Sequence, residues 1–392
     1  MTDPADSTQE PTAIPSDYLL DWLGAPGSDH TERPRACGQP LWQAGLKASP
    51  ESFRVDELLG FEPTGAGNHW LVRLEKRDLT TSALIDWAAR TTGTRARDIG
   101  FSGLKDRHAV TTQWLSFPHE AFDSKAFRAH CDEAGVGLLA MDRHDRKLRR
   151  GTHRANRFQL LLHDVSPVGD EADSRTLASY LDARRECLAA TGMANYFGEQ
   201  RYGRGFSNLR ALVEWGRGER RGQPRRQARN WLISTLRSAI FDHVLASRLT
   251  LGEFDQVLPG DLLQLAGSRS RFLAEADELD ILQSRLMAGD LMPTGPLWGE
   301  QGSQAGDGVA EREQALAAVM LERLGGAVWQ DWLSKWRVAA DRRPLGVRVT
   351  DLAYRVEPDQ VELTFSLPPG SYATELVGEL FASLPAKAGD SD

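Results

Sequence analysis

Residues 101–117, FSGLKDRHAVTTQWLSF, constrain the fold more than any other stretch, because they read as a strand, a polar turn and a second strand. Gly103 sets off the turn, Lys105, Asp106 and Arg107 fill it, and Ala109, Val110, Thr111, Thr112, Gln113, Trp114 and Leu115 leave it as an alternating run. A carboxylate between two cations on a turn of a rigid sheet stands where catalytic groups tend to sit. On spacing alone, the same triplet also suits an ordinary solvated hairpin.

Alternation continues on both sides of this turn. Phe53, Val55 and Leu58 are interleaved with Arg54 and Asp56, and Trp70, Val72 and Leu74 with Leu71, Arg73 and Glu75, which predicts two half-buried strands joined through PTGAGN at 63–68. Thr80 or Thr81 can cap a helix whose apolar set, Ala83, Leu84, Trp87 and Ala88, repeats at three and four residues. A second helix is expected over 122–135, a strand over 158–163 and a third helix over 174–191. The order β, α, β, β, α, β points to an α+β fold, with helices over one face of a mainly antiparallel sheet.

Further on, helices are expected at 228–251 and 311–324, with a mobile Gly/Gln/Ser/Asp-rich loop at 299–308 between them. Val361, Leu363, Phe365 and Leu367 then form a clean alternating strand. PPG at 368–370 ends it, and Ser371 can cap a helix over 373–384.

The 392 residues favour two domains over one. No apolar run is long enough to span a membrane. The N-terminus, MTDPADSTQEPTAIPSD, has acids and prolines where a secretory signal needs positive charge and an apolar core, so a cytoplasmic location is expected. Cys37, Cys131 and Cys187 stand far apart with no zinc-type spacing, and the nine histidines include no HExxH, so reduced thiols and no metal are expected.

A net charge of −8 argues at first against nucleic acid, but phosphate binding follows the local field. Between Arg143 and Arg157 there are seven Lys/Arg and one acid, and between Arg217 and Arg229 six arginines and one acid. Each run suits either a phosphate-gripping surface or a solvated face.

GLKDRHAVTTQ, Gly103 to Gln113, closely resembles a signature of the TruD family of tRNA pseudouridine synthases, and NYFGEQRYG, Asn195 to Gly203, resembles that family's second hallmark. PPGSYAT, from Pro368, looks like a third, with Tyr372 where other members can carry Phe. The likeness runs from about Leu46 to about Phe381. It implies a pseudouridine-synthase catalytic domain interrupted by an inserted α+β TRUD domain. The expected layout is a loose arm over 1–44, the catalytic domain over 45–191 and 346–384, the insertion over 192–345, and a disordered tail over 385–392.

In site terms, the resemblance implies Asp106 as the catalytic carboxylate and Asn156 and Phe158 as contacts of the target uridine, with Phe53 and Tyr372 lining the pocket. Lys47 would steady phosphate or the carboxylate, and Arg146, Lys147, Arg149 and Arg150 would hold the RNA backbone. The implied partner is tRNA and the implied target uridine-13 in the D-stem region. No cofactor and no metal are needed, and a monomer is expected.

Pseudouridine formation breaks the N1–C1′ bond and rejoins the base through C5. A carboxylate suits the positive character that develops at the sugar, whether it attacks C1′ or removes the C2′ proton. Two rivals stand beside this reading. An RNA-binding module would share the basic surface and dispense with Asp106. A carboxylate-pair glycosidase would need a second acid, for which Glu57 and Glu199 are the candidates. A nucleotide-dependent enzyme is disfavoured, since GxxxxGK[ST] is absent.

Overall fold

The structure, a computed structural model, describes residues 33–169, 176–203, 206–222 and 224–384. Most of the expected arm, the expected tail and the expected helix start at Ser174 lie outside the described residues. The chain divides into two compact units, one built from Pro40–Met193 with Val347–Leu384, the other containing Ala194–Gly346 and the described residues up to Gln39.

The first unit holds a ten-stranded sheet. Its strands are β1 (Trp42–Gly45), β2 (Phe53–Leu58), β3 (His69–Arg77), β4 (Gly100–Phe101), β5 (Val110–Pro118), β6 (Gly137–His144), β7 (Ala155–Pro167), β8 (Thr350–Glu357), β9 (Gln360–Leu367) and β10 (Ala382–Ser383). The main path runs β8-β9-β7-β2-β5-β3-β6, with β1 beside β7 and β10, and β4 beside β5. Only the β2–β5 and β1–β10 pairs are parallel, so the expected mainly antiparallel α+β fold is what the chain adopts.

Helix α1 (Thr81–Thr92) begins at an N-cap, Thr80, whose hydroxyl accepts from the Ala83 N–H, and ends at Gly93 in the left-handed region. Helix α2 (Ser124–Ala134) is capped by the Asp123 carboxylate and closes on Gly135. Their buried residues Leu84, Ile85, Ala88, Phe127 and Cys131 pack with Val72 and Leu74 of β3 and Leu115 and Phe117 of β5. Each such large apolar side chain contributes about 1.5–3 kcal/mol by leaving water. Helix α3 (Leu177–Thr191) and helix α4 (Ala373–Leu380) complete the unit. The Tyr180 hydroxyl on α3 accepts from Leu41 N–H and donates to Leu380 O, tying the approaches to β1 and β10 to that helix.

Register decides which side chains share a face. Phe53, Val55 and Glu57 lie beside Leu160, Phe158 and Asn156, Val55 beside Thr111, and Thr111 beside Lys76. Side chains alternate across a sheet, so Phe53, Glu57, Lys76, Thr111, Asn156 and Phe158 all point to the side on which α1 and α2 pack.

Several elements differ from the sequence expectation. Strand β6 is not among the expected strands, nor is β8, whose residues are mostly exposed although Leu352, Tyr354 and Val356 alternate along it. Helix α4 stops at Leu380 because Ala382 and Ser383 pair with Gln43 and Ala44. Its cap position is Tyr372, with no side-chain cap bond, and not Ser371. Cys131 is a free, buried thiol, as expected of a reduced cysteine.

The second unit has a four-stranded antiparallel sheet, in the order Arg271–Leu273, Leu262–Leu265, Leu291–Leu297, Asp341–Pro344, and long helices at Arg226–Thr250 and Asp307–Arg323. The hallmark at 195–203 is interior to it: Asn195, Tyr196, Phe197 and Tyr202 are buried. The Asp242 carboxylate accepts from Phe197 N–H and the Tyr202 hydroxyl, and Arg343 covers the Phe197 ring at 4.2 Å. The Gly-rich loop is tied by Glu300 N–H to Val338 O and Gly306 N–H to Gly260 O.

Candidate active site

Asp106 lies in the turn between β4 and β5 and is half-buried, its side chain 36% exposed. Three sets of contacts hold that turn. Before Asp106, the Lys105 ammonium is 2.5 Å from the Glu57 carboxylate, with both side chains almost fully buried. Glu57 also accepts from Trp114 N–H, and Lys105 N–H donates to the Thr81 hydroxyl, which itself donates to Gln113 Oε1. After Asp106, Arg107 and His108 both approach the Asp78 carboxylate, at 3.8 and 3.0 Å. At Asp106 itself, the buried Lys76 ammonium donates to the main-chain oxygen at 2.8 Å, and Lys47 Nζ stands 3.5 Å from Oδ2.

Lys47 adopts φ 64°, a conformation uncommon outside glycine and one that tends to mark functional sites. Its ammonium sits 4.3 Å above the Phe53 ring. Phe53 meets Phe158 edge-on at 6.2 Å, and Phe158 stacks on Phe365 at 5.1 Å. Contacts therefore link Lys47, Phe53, Asp106 and Phe158. Asn156, two residues before Phe158 on the same face, approaches His153 Nε2 through Nδ2 at 3.3 Å.

His153 abuts the turn as well: a Cβ at Gly103 would come 3.0 Å from its Cε1 and press on the imidazole. Burial, and then the charge of Lys105, push the His153 imidazole down to about 4. Among the described residues, Asn156 Oδ1, Thr111 Oγ1 and Gln113 Nε2 are buried without a hydrogen-bond partner. Such groups mark a polar site.

Tyr372 stands at the N-terminus of α4, beyond the end of β9 where Leu367 pairs with Asn156. It thus shares the sheet end that carries Asn156.

The four basic residues ride on the connection between β6 and β7. Leu148 anchors that loop in the interior, its N–H donating to the Ser116 hydroxyl, and Gly151 N–H donates to Ser102 O. Arg146, Arg149 and Arg150 are exposed, with Arg150 5.4 Å above the Phe101 ring, while Lys147 donates to Arg97 O.

Sequence reasoning gave no site role to Lys76, Gln113 or His153, took Thr81 only as a possible helix cap, and took Glu57 only as a possible second acid rather than as the partner of Lys105. One signal was present: Lys76 continues the inward phase of Trp70, Val72 and Leu74, and Glu57 that of Phe53 and Val55. An ionisable group in the apolar phase of a strand needs a partner or a purpose. The glycosidase reading loses its nearer second acid here, since the Glu57 carboxylate is taken up by Lys105 and Trp114.

Over residues 36–211 and 224–380 the chain matches the family model described as tRNA pseudouridine synthase D (TruD). The chain belongs to that family. A tRNA pseudouridine synthase D of Chromohalobacter salexigens is 39% identical over 350 residues, covering 88% of this chain and 95% of the relative. That of Methylococcus capsulatus is 37% identical over 356 residues, covering 91% and 95%. Among solved structures, a putative tRNA pseudouridine synthase D from Methanosarcina mazei superposes with a TM-score of 0.66 at 19% identity, over 90% of this chain and 95% of that one, which speaks to the fold. TruD membership accords with the α+β architecture. No helix among the described residues is long and apolar enough to cross a membrane.

Proposed function

We propose that this chain is a tRNA pseudouridine synthase that converts one uridine, uridine-13 by resemblance, to pseudouridine, with Asp106 as the catalytic carboxylate. The observation that carries the reading is the way the turn is built: a half-buried carboxylate with cations at its side chain and its main chain, on a backbone anchored from both directions. An ordinary solvated hairpin needs none of that investment.

The reaction balances without a co-reactant. The N1–C1′ bond breaks, the base turns, the C5–C1′ bond forms, C5 loses a proton and N1 gains one. Asp106 faces the sugar carbon where positive character develops, in a setting where preorganised charge acts more strongly than in water. Lys47 orients the carboxylate from one side. Phe53, Phe158 and Tyr372 line the base pocket, and Asn156 offers an amide, both donor and acceptor, to a uracil edge. Taking the base out of its stack costs a few kcal/mol, and aromatic surfaces return about 1–3 kcal/mol for each base they receive. Arg146, Lys147, Arg149 and Arg150 grip the backbone next to that pocket.

The test is a search for pseudouridine by primer extension or mass spectrometry in an unmodified tRNA transcript, with protein and no added cofactor. Wild-type protein yields product and Asp106→Asn yields none while retaining its fold and tRNA affinity. Product from Asp106→Asn would refute the assignment of the carboxylate. Tight binding with no product from wild type would favour the RNA-binding module.

A further inference from the structure

Lys76 is 2% exposed, yet among the described residues no carboxylate comes within ion-pair distance of it. Among the described residues, its ammonium donates to the Asp106 main-chain oxygen, at 2.8 Å. A buried ammonium costs several kcal/mol unless it is paired, and a neutral donor would satisfy a carbonyl at far lower cost. The charge itself therefore calls for an account.

The groups around it narrow the choice. Lys105 repels Lys76 but is matched by Glu57, and Asp78 attracts it but is shared with Arg107 and His108. Lys47 stands at Asp106 Oδ2. Asp106 is the largest favourable influence on the Lys76 charge.

We propose that Lys76 is a positioning residue for Asp106: its ammonium holds the main chain of the catalytic aspartate, and its charge, together with that of Lys47, fixes where the carboxylate rests. This rests on the synthase reading. Burial, partly offset by Asp106, brings the Lys76 ammonium from 10.5 down to about 8. The positive charge is thus lost within a pH range in which the protein can be assayed, and perturbed groups of this kind gather at functional sites.

Two measurements test it. With seven lysines in the chain, NMR titration of carbon-13-labelled lysine, assigned through Lys76→Arg, resolves Lys76 directly. A midpoint near 8 that falls further in Asp106→Asn supports the coupling. A midpoint near 10.5, or one that Asp106→Asn leaves unmoved, overturns it. In turnover, kcat of the wild type declines above about pH 8, Lys76→Arg shifts that decline to higher pH, and Lys76→Met loses about tenfold or more with no such limb, while KM for tRNA stays within about twofold. A Lys76→Met profile equal to wild type overturns the proposal. Should Lys76→Met fail to fold, the titration and Lys76→Arg decide. A coupled titration in a wild type that makes no pseudouridine would uphold the Lys76–Asp106 link and refute the synthase reading.

Discussion

The residue most exposed to a wrong substitution is Glu57. Its carboxylate is wholly buried against Lys105, one position before Asp106. Removing one partner of a buried pair leaves the other charge uncompensated, at about 3–5 kcal/mol. Glu57→Gln should therefore lower the urea-unfolding free energy by about that amount and reduce turnover through the displaced turn. Glu57→Leu combined with Lys105→Met should recover much of the stability, because a well-packed apolar pair avoids both desolvation costs. A double-mutant cycle in urea measures both, and additive losses would show that the pair is not coupled.

Among the elements, α1 links local capping to the site, since Thr80 caps it and Thr81 holds Lys105 N–H. Thr80→Ala should cost about 1 kcal/mol, read as a drop in melting temperature, with kcat barely changed. Thr81→Val should instead depress kcat, because it frees the turn. The β6–β7 connection carries a different load. Neutralising Arg149 and Arg150 should weaken tRNA binding and lower the slope of log Kd against log salt by about one unit per lost phosphate contact. An unchanged slope would place the binding surface elsewhere. Strands β2 and β3 were legible from their alternation, but Glu57 and Lys76 in the apolar phase carried no hint of which neighbours they would meet.

Over the whole molecule, His153 and His243, one in each unit, make stability depend on acidity. Burial pushes both His153 and His243 from 6.5 down to about 4. The unfolded chain thus takes up these protons first as pH falls, and the stability present above pH 6.5 is lost progressively toward pH 4, by at most about 1.4 kcal/mol per pH unit for each histidine. Unfolding midpoints measured across that window should decline, and His153→Leu should flatten the decline in the unit that holds the sheet. Charge is also distributed at this scale: the protein is acidic overall, yet three exposed arginines cluster on one connection of the sheet. A net figure cannot report such a field.

The sequence by itself determined the strand-turn-strand around Asp106, the two capped helices, the alternating strands and the family signature, because caps, turns and periods act over a few residues. Tertiary structure decided what meets what. Period-two alternation says which face a side chain takes but not which strand lies alongside, since register comes from hydrogen bonding between segments far apart in the chain. Only that pairing sets Lys47, Lys76 and Asp106 together from three separate segments, gives Lys105 its acid on β2, and brings β9 back beside β7 about two hundred positions later.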